Sequence, residues 1–232
     1  MILQRLLTVA TCSLLALTAL GQQSLETSVR PGVNDRWVNP DLDAQNAAEN
    51  FESDTREVYL RRHDVVAALD LRPGMTVADV GAGSGFYMSL FAAQVGPSGR
   101  VYAVELAPNW IEYLNEKVEE EGLSQVSVVR GTERSVELPE ASLDLIFASD
   151  TYHHFEYPQS SLASIYGALK PGGLWVVLDY DKIPGVTSPS RMDHLRLGKA
   201  EAMQEILAAG FTLERDIDLD FEENYLAVFG RP

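Results

Sequence analysis

The chain has 232 residues, 46% apolar and 22% charged, with 18 basic and 34 acidic side chains and a net charge of −16. That mix excludes a wholly disordered or collagen-like chain, and so acidic a surface repels phosphate backbones, so no nucleic-acid partner is expected. One cysteine, Cys12, is too few for a disulfide framework, a cysteine-rich zinc site or an iron–sulfur cluster.

Arg5 is the only charge among the first 25 residues, and residues 6–20 form an uncharged stretch rich in Leu and Ala. Ala19-Leu20-Gly21 and the polar Gln22-Gln23 follow. This order predicts a secretory signal peptide over residues 1–21, too short to span a bilayer and cleaved near Gly21. The expectation is an exported protein, periplasmic or secreted, with no stable membrane span after cleavage. Cys12 would leave with the signal, and with it every mechanism that needs a thiolate.

Residues 22–40 read as a polar lead-in, with Pro31-Gly32 as a turn signal. Residues 41–72 read as an N-terminal helical cap. One helical pattern over 43–69 places Phe51, Val58, Val65, Val66 and Leu69 roughly on one face, and Arg72-Pro73-Gly74 stops it. Residues 73–232 form the main domain. There, short apolar runs at 76–80, 101–104, 126–129, 143–148, 174–178, 211–219 and 225–229 read as seven strands. Helical patterns at 86–95, 110–121, 159–169 and 199–209 separate them. Such alternation predicts an α/β, doubly wound, mostly parallel sheet with helices on both faces.

The first strand runs into Asp79-Val80-Gly81-Ala82-Gly83-Ser84-Gly85. Glycine suits a backbone that turns with positive φ or approaches a ligand closely. Glu105 ends the next strand, where an acid can accept bonds from two ribose hydroxyls. A dinucleotide fingerprint would place its third glycine at Phe86. Asp79 would repel a pyrophosphate but attract a cationic amino acid. The residues therefore point to a nucleoside ligand with a positive centre and no phosphate.

With these residues in view, the chain resembles the class I S-adenosylmethionine-dependent methyltransferases over residues 64–229. The glycine loop matches their first motif, and Glu105 matches the acid that takes the ribose hydroxyls. Leu143-Asp144-Leu145-Ile146-Phe147 matches their fourth strand, and Leu169-Lys170-Pro171-Gly172-Gly173 the turn before their fifth. Thr151-Tyr152-His153-His154-Phe155 and the lead-in helix look like the bacterial type 11-like branch. The resemblance implies a Rossmann-like seven-stranded sheet with its last strand antiparallel, and S-adenosyl-L-methionine as cofactor. It implies cofactor contacts from Asp79, Gly81, Gly83, Gly85, Glu105 and Asp150. The chain departs from the family where an acid often meets the adenine amino group; Thr132 stands there, with Glu133 next.

Methyl transfer is a direct displacement, and it needs a base only when the acceptor carries a proton. The loop after the fourth strand offers His153 and His154 as candidate bases, and Tyr152 as a wall or orienting group. Asp150, His153, His154 and Asp179 also read as candidate metal ligands, but adjacent histidines do not easily share a ligand face, so no metal is expected. His194, Arg196 and Lys199, together with Arg56, form local basic groups suited to an anionic substrate. The expected function is methyl transfer to a small-molecule acceptor. The alternatives are an exported S-adenosylmethionine-binding protein without catalysis and, disfavoured by Phe86, a nicotinamide-dependent oxidoreductase.

Overall fold

The computed structural model describes residues 26–232; the signal peptide expected over residues 1–21 lies outside them. Seven strands form one sheet in the order β3-β2-β1-β4-β5-β7-β6. They are β1 (Thr76–Val80), β2 (Arg100–Glu105), β3 (Val126–Arg130), β4 (Leu143–Ser149), β5 (Leu169–Tyr180), β6 (Thr212–Ile217) and β7 (Asn224–Gly230). The strands from β3 to β5 pair in parallel, and β7 runs antiparallel to both of its neighbours. The expected doubly wound fold is present, with its last strand reversed.

Alternate residues of each strand feed two cores. Val77, Leu145, Phe147, Val176 and Val228 face a core shared with α3 (Arg62–Ala68), α4 (Phe86–Val95) and Leu114 of α5 (Pro108–Glu120). Ala78, Ile146, Trp175, Val177 and Phe229 face the other core, shared with α6 (Pro158–Ala168) and α8 (Lys199–Ala208). Both faces are covered, which is why these strands read as continuous apolar runs rather than as alternation. Among the described residues no helix is long and apolar enough to cross a membrane.

Three local features differ from the sequence expectation. The single helix expected over 43–69 is split into α1 (Ala44–Phe51), α2 (Glu57–Leu60) and α3. Between α1 and α2 the Ser53 hydroxyl accepts from the Thr55 amide and its carbonyl from the Arg56 amide, a local turn that competes with helical bonding. Val58, Val65, Val66 and Leu69 then join the main core, so α2 and α3 belong to the sheet's own covering layer rather than to a cap. The Pro171-Gly172-Gly173 turn lies inside β5, where the register jumps from Leu143 opposite Leu169 to Leu145 opposite Leu174. A further helix, α7 (Pro189–His194), follows β5, with the Ser188 hydroxyl accepting from the Arg191 amide as its N-cap.

Gly85 caps α4 at φ +72, and a β-carbon there would lie 2.7 Å from Leu114 Cδ2 and 3.0 Å from Met88 Cε. Its glycine is required by the packing of α4 on α5. Gly85→Ala is expected to cost about 1–3 kcal/mol through backbone strain and overpacking, read as a lower denaturant midpoint at unchanged slope.

Candidate functional site

The chain leaves β1 toward β2 on one side and β4 toward β5 on the other, so the loops after β1 and β4 diverge and open a crevice. A cavity of about 280 Å³ lies there, at the carboxyl ends of the strands. Asp79, Gly81, Gly83 and Glu105 line one end; Asp150, His153, His154 and His194 line the other.

The glycine loop is built for close approach. Gly81 has φ +70, and a β-carbon on it would sit 2.4 Å from Thr151 Cγ2. Gly83 has φ +52, and a β-carbon there would meet the Phe51 ring at 3.1 Å. Glu105 closes the loop from β2: its carboxylate accepts from the Gly83 amide at 2.8 Å and the Leu106 amide at 2.9 Å. Asp79 is 2% exposed, and its Oδ2 has no hydrogen-bond partner. Burial, reinforced by the Glu105 charge, pushes its carboxyl up to about 7, against the Met88 amide in the first turn of α4.

The other end is held by ion pairs and histidines. Asp150, at φ +47, takes the Arg56 guanidinium on one oxygen and the Asn224 amide on the other at 2.9 Å. Burial raises its carboxyl, Arg56 lowers it, and Asp179 at the end of β5 raises it further. Asp179 accepts from the His153 backbone at 2.9 Å and lies 2.6 Å from His153 Nδ1. That contact assigns the proton to Nδ1 in the neutral ring and leaves Nε2 as the free lone pair. His154 Nδ1 is buried without a partner. Burial, then the neighbouring His153 and His194, hold the His154 ring well below the usual histidine range. Burial also lowers His194, with His153 and Arg30 adding to it and Asp179 opposing. Burial and then Asp150 push the Tyr180 phenol up to about 12, making it a donor rather than a base.

The lead-in forms the roof. The Val29 amide donates to the Glu156 carbonyl at 2.9 Å, Arg30 to the Asp193 carbonyl at 2.6 Å and Asn34 Nδ2 to the His154 carbonyl at 3.1 Å. Trp37 packs on Phe51 with ring centres 5.4 Å apart, and Phe51 stacks on Trp110 at 5.5 Å. Trp37, Trp110 and Asn34 were not singled out from the sequence as site residues. Asp179 carries one local signal, an acid closing the fifth strand; the roof carries none, because its hydrogen bonds join residues more than 100 positions apart.

Several expected site residues lie elsewhere. Tyr152 is fully buried away from the cavity, its hydroxyl donating to Glu205 Oε1 at 2.6 Å. Arg196 grips the same carboxylate with two bonds of 2.9 and 2.7 Å. Lys199 pairs with Asp216 at 2.8 Å. Neighbouring carboxylates pair with these groups, and none of the three residues lines the cavity. Gly85 is a packing position. Arg56 lines the cavity, but its charge is used on Asp150. Thr132 and Glu133 sit on the exposed rim beyond β3.

Residues 78–177 match the family described as methyltransferase domain. Fewer than half of the 232 residues carry that match, and the sheet around them has the class I methyltransferase fold. Demethylmenaquinone methyltransferase of Anoxybacillus flavithermus is 28% identical over 142 residues, 61% of this chain and 58% of the relative. The Geobacillus stearothermophilus protein of that name is 24% identical, over 58% of this chain and 60% of the relative. The chain thus spans about three fifths of the length of these curated relatives. The fold is also that of a solved methyltransferase from Aquifex aeolicus, with a TM-score of 0.72 and 24% identity, over 83% of this chain and all of that one. The cavity has the chemistry S-adenosylmethionine needs: Asp79 Oδ2 is a buried acceptor with no partner, Glu105 adds a second carboxylate, and the glycine cradle has no room for side chains.

Asp79 makes stability and ligand affinity depend on pH. Without ligand, the folded chain keeps a proton that the unfolded chain, with its carboxyl near 3.8, has released below about 7. Stability from this group therefore falls as pH rises from 4 toward 7 and is level above it. Asp79→Asn is expected to raise the melting temperature relative to the parent by an amount that grows across that window. A cationic ligand reverses the preference, so parental affinity for S-adenosylmethionine rises up to about tenfold per pH unit below 7, and Asp79→Asn flattens the profile. Calorimetry from pH 5.5 to 8 checks both.

Proposed function

We propose that the protein transfers a methyl group from S-adenosylmethionine to a small aromatic acceptor bearing an ionisable O–H or N–H group. The observation that carries this reading is the buried His153–Asp179 pair, which opens onto the same cavity as the glycine loop. S-adenosylmethionine supplies an electrophilic methyl on a sulfonium. The chain's own part is to bind, orient and exclude water. Asp79, Glu105 and the loop amides hold the cofactor. Asp179 fixes the imidazole of His153, whose Nε2 takes the acceptor's proton as the nucleophile attacks. Trp37 and the roof close the site against solvent. Phe155 and Tyr180 supply aromatic lining at the acceptor end, which suits a flat ring. The relatives' name, demethylmenaquinone methyltransferase, points the same way.

We further propose that residues 1–21 direct export and are removed; the support is the uncharged stretch at 6–20. Intact-mass analysis of protein from the native host is expected to show a chain beginning near Gln22, and a chain beginning at Met1 overturns this.

The catalytic reading is tested by S-adenosylhomocysteine release with phenolic and quinol acceptors. His153→Ala is expected to lower turnover about 10²–10⁴-fold while S-adenosylmethionine affinity stays within a few fold. Asp179→Asn is expected to lower turnover while S-adenosylmethionine affinity stays within a few fold. Full turnover in His153→Ala overturns the base assignment. Binding without any S-adenosylhomocysteine release favours the non-catalytic alternative.

A further inference from the structure

Three of the chain's four histidines meet at one point. His153 and His154 come from the turn after β4, and His194 from the end of α7, 40 positions later. Their ring centres lie 4.2, 5.3 and 5.2 Å apart, and one nitrogen from each lies within 4.8 Å of the other two. We propose that His153, His154 and His194 form a binding site for a divalent transition-metal ion, with Zn²⁺ as its representative.

Three observations support the site. Asp179 engages His153 through Nδ1, which turns Nε2 outward as a bare lone pair. A carboxylate behind a ligating imidazole is the usual support of a metal-bound histidine. His154 Nδ1 is a buried nitrogen with no hydrogen-bond partner, and a metal satisfies it without a proton. The third ring is the adjustable one: His194 is exposed at the last residue of a short helix. An ion at about 2.0–2.1 Å from each nitrogen needs them about 3.4 Å apart, closer than the 4.8 Å within which they lie, and the exposed His194 is the ring expected to close that gap.

The surrounding charges admit a cation. Asp179 stands behind His153, and Asp150 lies beyond it. Arg30 and Arg191 are the opposing charges: Arg30 donates to the Asp193 carbonyl, and Arg191 is paired with Glu223. Three imidazoles and no oxygen ligand favour Zn²⁺, Ni²⁺ and Cu²⁺ over Mg²⁺ or Ca²⁺. Three protein ligands leave an open position facing the cavity. Metal binding uses the same His153 nitrogen that would act as a base, so the metal-loaded and base-competent forms exclude one another. The inference stands on binding alone and does not require His153 to be that base.

The test is titration of the chelator-treated protein with Zn²⁺ by calorimetry and with Co²⁺ by visible absorption. One equivalent per chain is expected, with the visible bands of a four-coordinate Co²⁺ ion and no competition from millimolar Mg²⁺. His194→Ala is expected to weaken Zn²⁺ at least tenfold, and Asp179→Asn about 10–100-fold. His63→Ala, on the exposed face of α3, serves as the control and binds as the parent does. His194 is exposed and its loss leaves the core intact, so circular dichroism of that variant should match the parent. Absence of saturable one-equivalent binding overturns the proposal. So does parental affinity in both His194→Ala and His154→Ala. S-adenosylmethionine binding measured in parallel reports on the cofactor reading separately, and neither result depends on the other.

Discussion

Four carboxylates stand at the carboxyl ends of four parallel strands, and the structure around the cavity depends on how each is compensated. Asp79, Glu105, Asp150 and Asp179 close β1, β2, β4 and β5. A buried carboxylate without partners is costly, so each has recruited a different one. Glu105 takes the amides of the glycine loop and its own successor. Asp150 takes Arg56 and Asn224, and Asp179 takes the His153 ring and the Tyr180 amide. Of the four, Asp79 alone keeps an oxygen with no partner.

These partners also explain why the N-terminal segment is ordered. Arg56 reaches Asp150 from the start of α2, and Glu57 beside it accepts the backbone amides of Glu222, Glu223 and Asn224. Asn224 in turn donates to Asp150. The start of α2, the turn after β4 and the start of β7 are thus tied to one carboxylate. Upstream, Glu26 accepts the Gln159 and Ser160 amides at the first turn of α6, where a carboxylate meets orphan donors and the positive end of the helix. The roof is held at several points, and opening it means breaking charge-assisted bonds.

The basic residues after β5 show how composition misleads about a site. On so acidic a chain, a cluster of Arg, His and Lys stands out as an anion trap. Yet Arg196 and Lys199 satisfy Glu205 and Asp216, Arg191 satisfies Glu223, and Tyr152 shares Glu205. Excess acid in the sequence makes internal pairing the commoner fate of a basic side chain. His194 escapes it because it ends α7 beside the two histidines of the β4 turn.

Local periodicity determined the architecture. Seven apolar runs separated by helical patterns specify a parallel sheet covered on both faces, and the structure has those strands within a few residues of the expected bounds. That Asp79, Gly81, Gly83 and Glu105 would stand together at one end of a cavity was legible for the same reason: their places follow from one strand–turn–helix unit and the strand beside it. Tertiary structure decided what depends on distant partners. It turned Tyr152 into the core and His153 onto Asp179, made Gly85 a packing position, bent residues 26–42 over the cavity and brought His194 to the paired histidines. The physical reason is that a side chain's direction and partner are set by long-range contacts across the sheet, whereas its place on a strand or helix is set by its neighbours in the chain.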